Sequence, residues 1–235
     1  VVSTQSTGNL KMTYDKSINQ FSNEGRVYQY EYAIKSVTLA PTGIALRSQN
    51  STVFVCEVSK QSPLQIVSQQ IQQIDKHILA LPIGYPADAR VLISFLRSEA
   101  QNHIFNFEEP VPIQLLADRL SERMTIRQAL RNEVKMGRPF GCAIILATKD
   151  KMYYCDPAGN CIEYKAKAAG AGGITGQELL EDKWKSNLTE QEALKLGLQI
   201  VKEIIEGGVD KIQAAVIGND GVRFMTQQEI TNQLQ

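Results

Sequence analysis

No stretch of this 235-residue chain approaches the roughly 18–20 consecutive apolar residues that a bilayer-crossing helix needs. No charged segment leading into an apolar one opens the sequence, so a secreted chain is not expected. An excess of one charge sign is also missing. Lys plus Arg and Asp plus Glu number 25 each and do not cluster. That argues against nucleic acid or an anionic membrane as partner, since both select a basic face. A charge-balanced chain also repels copies and neighbours poorly and is free to associate. Histidine is scarce, with His77 and His103 alone. The four cysteines, at 56, 142, 155 and 161, lack zinc spacing, so no metal or other cofactor is expected. Free thiols in a reducing compartment are one reading of them, and a Cys155–Cys161 bridge across a hairpin is the other. There is no internal repeat and no linker long enough to separate two domains.

What is present is a sequence 43% apolar, enough for one substantial core. Residues 1–20 are polar and aperiodic, which reads as an arm; residues 21–235 read as a single domain. In "FSNEGRVYQYEYA" (21–33) a polar turn becomes a helix, expected over about 25–37. Ser22 and Asn23 suit its start, and Glu24 suits its positive dipole end. Val27, Tyr30, Ile34 and Val37 predict one buried stripe, and Tyr28 and Tyr32 a second apolar face. A helix with two such faces belongs between two bodies.

A hairpin follows over 42–58, turning at Gln49-Asn50-Ser51. The spacing of Ile66, Val67, Ile71, Ile74 and Ile78 predicts a helix from about Pro63 that passes into a strand over 77–84. Helices are expected over 86–105 and 113–130, a strand over 142–150 and a hairpin over 151–170 turning at Asp156–Gly159. Glycines from Gly170 to Gly176 lead into a helix over 177–184. Thr189 and Glu192 predict a capping box for a helix over 189–208, ending at Gly207-Gly208. Strands over 212–218 and 222–226 and a short terminal helix complete the chain. Paired helices and strands apolar on both faces, without continuous strand–helix alternation, predict an α+β fold. Its architecture is a four-layer αββα sandwich with two mainly antiparallel sheets.

Few motifs carry chemistry. "AAGAGGITG" (168–176) has no lysine where a phosphate-binding loop needs one, and its preceding strand belongs to a hairpin, so it reads as a tight turn. Asn50 and Asn187 open glycosylation patterns that matter only in a secreted chain. Glu108-Glu109 reads as solvated charge, His103 and Glu99 as a surface pair, and Cys142 as a buried thiol.

The opening segment is more specific. "YDKSINQFSNEGRVYQYEYA" (14–33) strongly resembles the N-terminal signature of proteasome alpha-type subunits. "ADARVLI" (87–93), "RPFG" (138–141), "CDPAG" (155–159) and "YKAKAAG" (164–170) match later family motifs in order. The resemblance runs from residue 14 to about 230. It implies the αββα sandwich of N-terminal-nucleophile hydrolases, with the short helix plugging the intersheet cleft that catalytic beta-type relatives leave open. Threonine hydrolase chemistry needs a threonine with a free amine, an acid and a lysine. By resemblance those positions fall at Pro41, Glu57 and Gln70, and Thr42 is one residue off. Proline has no hydroxyl and glutamine no charge, so no catalytic site is expected.

The resemblance instead implies a structural and gating subunit of the 20S core particle. Its partners would be neighbouring alpha-type subunits in a seven-membered ring, beta-type subunits, and regulators or activators, in cytoplasm and nucleus. A gate-ordering cluster maps to Tyr14, Asp15, Asn23 and Tyr32. Asn23 departs from the family's proline, which would stiffen the turn. An activator-tail pocket maps to Gln70 and Ala40, where relatives carry a lysine and a glycine, so weak tail binding is expected there. A self-processing threonine hydrolase of the same fold, and a small-ligand α/β protein using the 170–176 turn, are the competing readings.

Overall fold

In the computed structural model the described residues are 20–59, 62, 64–66, 68–125, 138–205 and 208–234. A helix α1 (Tyr28–Thr38) precedes the hairpin β1 (Gly43–Arg47) and β2 (Thr52–Glu57). Next come β3 (Gln72–Asp75), β4 (Ile78–Gly84), and helices α2 (Pro86–Phe107) and α3 (Ile113–Met124). Strands β5 (Cys142–Ala147), β6 (Met152–Cys155), β7 (Cys161–Glu163) and β8 (Ala166–Ala169) lead to α4 (Gly173–Lys183) and α5 (Glu190–Ile204). A 3-10 turn (Val209–Lys211), β9 (Ile212–Gly218), β10 (Gly221–Phe224) and α6 (Gln227–Gln233) complete it.

Two five-stranded antiparallel sheets form, ordered β10-β9-β2-β1-β8 and β3-β4-β5-β6-β7. Successive side chains of a strand point to opposite faces, and here both faces are dry. Phe54 and Cys56 of β2 and Ala143 and Ile145 of β5 point into the layer between the sheets. Val53 and Val55 pack outward under Leu194, Leu198 and Val201 of α5. Ile144 and Leu146 pack outward under Leu92 and Leu96 of α2 and Leu116 and Leu120 of α3. Three stacked apolar layers between two helical coats make the αββα sandwich that the strand pattern predicts.

The helix expected from about Pro63 is absent at its apolar end. Residues 72–75 are strand β3, and β4 is extended from Ile78 with no helical lead-in. The register slips between Gln73 and Asp75, skipping Ile74. Strand alternation places Ile71 in the intersheet layer and Ile74, three residues on, in the outer one. A strand buried on both faces therefore imitates a period of three to four. Ile66 is 93% exposed, and Val67 lies outside the described residues.

The expected hairpin over 151–170 divides. β6 and β7 pair through the Asp156 turn, whose carboxylate accepts from the amides of Ala158 and Asn160. β8 instead crosses to the other sheet and pairs with β1. α4 begins at Gly173, within the glycine run, and α5 ends at Ile204. The Thr189–Glu192 capping box is present. α3 ends at Met124; residues 126–137 and Gly207 lie outside the described residues.

Candidate functional site

The site lies where α1 meets the end of the sandwich. Ser22 closes the preceding turn rather than capping the helix: its hydroxyl accepts from the Arg26 amide at 3.1 Å. The N-cap position is Val27, which makes no side-chain cap bond. Glu31 occupies the first turn and accepts from Arg26 Nε at 2.7 Å. That hydrogen bonding holds the Glu31 carboxyl below its ordinary value.

The buried side of α1 differs from the expected stripe. Ala33 and Val37 are buried, whereas Ile34 is 41% exposed. Tyr28 and Tyr30 are half-buried, and Tyr32 faces solvent at 52% exposure. Small Ala33 lets the helix approach closely, and Val37 and Ala40 enter the same cluster as Leu81 and Ile83 of β4 and Ala143 of β5. Ser36 Oγ donates to the Gly141 carbonyl at 3.0 Å, which also accepts from the Tyr85 amide at 2.9 Å. Gly84 stands beside this junction at φ +135°, and a side chain there would meet the Gly141 carbonyl at 2.3 Å.

From α1 the chain runs through Leu39, Ala40 and Pro41 into Thr42 and β1. Thr42 is buried, and its amide, hydroxyl and carbonyl all have partners, the carbonyl accepting from the Glu57 amide at 2.8 Å. Its amide donates to Glu57 Oε2 at 3.2 Å, and its hydroxyl accepts from the Gly172 amide at 2.9 Å. The turn that supplies Gly172 is pressed against this segment. Ala171 donates to the Ala40 carbonyl at 2.8 Å. Gly170, at φ +105°, has room for no side chain, since a Cβ would lie 2.6 Å from the Pro41 carbonyl. The glycine run is thus a strand-to-helix turn filled by protein.

A cavity of about 400 Å³ remains, lined by Pro41, Glu57, Gln65, Ser68 and Gln70 among others. Three expected positions, Pro41, Glu57 and Gln70, therefore converge. Ala40 does not line that wall; it is buried in the intersheet cluster. The Gln70 amide is held by Gln213 Oε1 at 2.9 Å. The Thr42 nitrogen is a peptide amide and, among the described residues, no lysine lines the cavity, so those residues assemble no amine base or cationic partner for a nucleophile.

Beside α1 a second cavity of about 370 Å³ is lined by Gln29, Tyr32, Tyr85, Arg138 and Pro139, with Ser36 and Gly141 at its floor. Here two sequence motifs meet. Arg138 donates to both oxygens of Asp88, at 2.6 and 3.0 Å, and the Gly141 amide donates to Asp88 Oδ2 at 2.8 Å. Burial raises the Asp88 carboxyl, but the Arg138 and Gly141 hydrogen bonds outweigh it and hold it below its ordinary value. The Arg138 guanidinium also lies 5.6 Å from the Tyr85 ring centroid. Sequence reasoning recognised both motifs without pairing them, because 50 residues separate their charges.

Of the expected gate cluster, Asn23 lies in the exposed 22–26 turn and Tyr32 on the second cavity, while Tyr14 and Asp15 lie outside the described residues. His103 does not pair with Glu99. It faces Glu109 at 3.7 Å, and Glu99 faces Arg119 at 3.9 Å. Cys155 and Cys161 are joined as a disulfide between register partners of β6 and β7, so the bridge rather than the all-thiol reading describes this pair. Cys56 and Cys142 are buried thiols, each pushed up to about 12 chiefly by desolvation. Among the described residues no cluster of His, Cys, Asp or Glu could hold a metal ion, and no helix is long and apolar enough to cross a membrane.

Comparison with known proteins adds two matches that meet at α1. Residues 37–231 match the family described as proteasome subunit, and residues 14–35 match the N-terminal signature of A-type proteasome subunits. Proteasome subunit alpha type-5 of Dictyostelium discoideum is 35% identical over 221 residues, covering 90% of each chain. The Drosophila melanogaster protein of the same description is 34% identical, covering 87% of each. Proteasome subunit alpha of Methanococcus maripaludis strain C7 is 35% identical, covering 88% of this chain and 82% of its own.

Proposed function

Since the chain belongs to the proteasome subunit family and carries its alpha-type N-terminal signature, we propose that it is a noncatalytic subunit of the outer alpha ring of the 20S core particle. In this reading it forms the wall of the particle and takes part in gating it, beside alpha-type neighbours and against beta-type subunits, in cytoplasm and nucleus. One observation carries the noncatalytic part. The chain passes from a helix seated at the end of the intersheet core, through Pro41, into a Thr42 whose amide and hydroxyl are already committed to Glu57 and Gly172. A nucleophile needs a free hydroxyl and a nearby base. Unplugging α1 would expose Val37 and Ala40, which are buried.

The arm, residues 1–20, is the gating element, and Tyr14, Asp15, Asn23 and Tyr32 order it. Tyrosine hydroxyls and a carboxylate can hydrogen-bond across a head-to-tail contact between neighbours, the kind a closed ring requires. Asn23 makes the turn less rigid than a proline would. Among the described residues the pocket at Gln70, with Ala40 nearby, offers a regulator's carboxylate no cation, and Glu57 on the same wall repels it; by itself this pocket binds such a tail weakly.

Native mass spectrometry of the assembly from its source tests the ring. The expected result is a particle containing this chain at full length. A mature chain beginning at Thr42 would overturn the noncatalytic reading. Deleting residues 1–13 tests the arm: hydrolysis of a fluorogenic peptide by the closed particle should accelerate. No acceleration, in a particle where the other arms are also shortened, removes the gating role.

A further inference from the structure

The Cys155–Cys161 pair sits at the edge of its sheet. β7 is three residues long and has β6 as its one neighbour in the order β3-β4-β5-β6-β7. Three register pairs join the two strands: Tyr153 with Glu163, Tyr154 with Ile162, and Cys155 with Cys161. The two cysteine Cα atoms lie 4.0 Å apart. The turn beyond them has hydrogen bonds of its own, since the Asp156 carboxylate accepts from the amides of Ala158 and Asn160 and from Asn160 Nδ2. Ladder and turn therefore bring the two sulfurs together without help from the bond between them. One backbone fits both the joined and the unjoined state.

The two cysteines differ in access. Cys155 is fully buried in the layer under α2 and α3, whereas Cys161 is only half-buried at the rim of that layer. Cys56 and Cys142 are buried thiols on other strands. Thiol–disulfide exchange depends on which sulfur a reagent can reach, and here that is Cys161. The loop that the bond closes also grips a helix. Ser121 Oγ, in the last turns of α3, donates to the Gly159 carbonyl at 2.5 Å, and Thr125 Oγ1 donates back to the Ser121 carbonyl at 2.8 Å. Gly159 has φ +87°, and a side chain there would run into Thr125 Oγ1. The end of α3 is thus seated on the segment between the two cysteines.

We propose that Cys155 and Cys161 form a reversible thiol–disulfide site, with Cys161 as the sulfur that meets peroxides and dithiols and Cys155 as the resolving thiol behind it. In oxidation the Cys161 thiolate attacks a peroxide oxygen. The O–O bond breaks, Cys161 becomes a sulfenic acid, and the leaving oxygen departs as water or alcohol. Cys155 then attacks the Cys161 sulfur, the S–O bond breaks, and water leaves with the thiol proton. Two electrons pass from the sulfur pair to the peroxide. In reduction one thiolate of a dithiol attacks Cys161 Sγ and expels Cys155, which takes a proton. The dithiol's second sulfur then displaces Cys161 and closes its own disulfide. Joined, β7 and the Asp156 turn are tied to β6 and hold the end of α3. Unjoined, a three-residue edge strand opens more often. In the cytoplasm proposed above such a bond turns over rather than persists; the chemistry at the two sulfurs does not rest on that location.

The test uses the purified full-length chain, reduced with dithiothreitol, freed of it, and exposed to a small excess of hydrogen peroxide. The tryptic peptide 152–165, which holds both cysteines, should weigh two hydrogens less and resist alkylation, while Cys56 and Cys142 remain thiols. Dithiothreitol added to the folded chain should restore the mass. With dimedone present, Cys155→Ser should be labelled at Cys161, and Cys161→Ser at Cys155 at least about tenfold less. Amide exchange over 156–163 and over the last turn of α3 should be about tenfold or more faster in the reduced chain than in the oxidised one. The mass and exchange measurements need no variant, so they decide the matter should a serine variant fail to fold. Separate oxidation of the two sulfurs to sulfinic acids overturns the proposal, as does preferential capture at Cys155. So does equal exchange in the two states, or a bond that dithiothreitol opens only after unfolding. None of these outcomes bears on ring assembly, which is read separately by native mass.

Discussion

If α1 is held by the intersheet core, shaving Val37 should loosen the helix more than removing the Ser36 hydrogen bond to the body. Val37→Ala deletes two carbons from a side chain only 5% exposed. At about 0.8 kcal/mol per buried methylene plus a small cavity term, the loss is about 2 kcal/mol. Ser36→Ala deletes the donor to the Gly141 carbonyl, but that oxygen keeps the Tyr85 amide. No buried acceptor is orphaned, so the cost is about 0.5–1 kcal/mol. An 11-residue helix does not persist alone in water, so undocking and unfolding of α1 are one event. Amide hydrogen exchange by mass spectrometry reads that opening directly. Exchange over Tyr28–Thr38, measured relative to β5, should accelerate about 30-fold in Val37→Ala and about two- to fivefold in Ser36→Ala. A larger effect from Ser36, or none from either, would mean that the intersheet core is not what seats the helix.

The Asp88–Arg138 clamp gives a pH prediction. A depressed carboxyl contributes stability that is present above its ordinary pKa of 3.8 and is lost as pH falls through its lower folded value. Asp88→Asn should therefore lower the unfolding free energy at pH 7, read by denaturant titration, by about 1–3 kcal/mol, with the gap to the parent closing on strong acidification. Thr189→Ala removes the capping-box acceptor of α5 and should cost about 1 kcal/mol by the same measurement. Under oxidising conditions the Cys155–Cys161 bridge closes a short loop, and Cys161→Ser should cost about 2 kcal/mol, a difference that vanishes in dithiothreitol. Cys56 and Cys142, both pushed up to about 12 by burial, should stay unalkylated by iodoacetamide at pH 8 until the chain unfolds.

Most of the architecture was legible because strands such as "TVFVCEV" are apolar at consecutive positions, which only a doubly covered sheet explains. The misreadings share one cause: period describes which residues are buried, not which partner buries them. Ile71 and Ile74 imitate a helix because alternation along a strand covered on both faces buries them in different layers. Ile34 joins the stripe of α1 on paper, yet Ala33 takes the inner position because close approach to β4 and β5 selects the smaller side chain. Pairings over long sequence distance, Asp88 with Arg138 and Ser36 with Gly141, leave no periodic trace at all.

Pro41, Glu57 and Gln70 line one cavity, so in the reading proposed above a wall differs from a protease body chiefly in the connection of the chain. A chain that continues backward from Thr42 turns a potential amine into an amide, and an amide nitrogen donates its proton instead of accepting one. Glu57 then serves as the acceptor for that amide, and the Gly172 amide takes up the hydroxyl. Replacing Pro41 by threonine and Gln70 by lysine would restore side chains but not the free amine. That double variant should remain without peptidase activity toward a fluorogenic peptide when its N-terminus is intact. Hydrolysis by the unprocessed double variant would show that the continuous chain through α1 is not what silences the site.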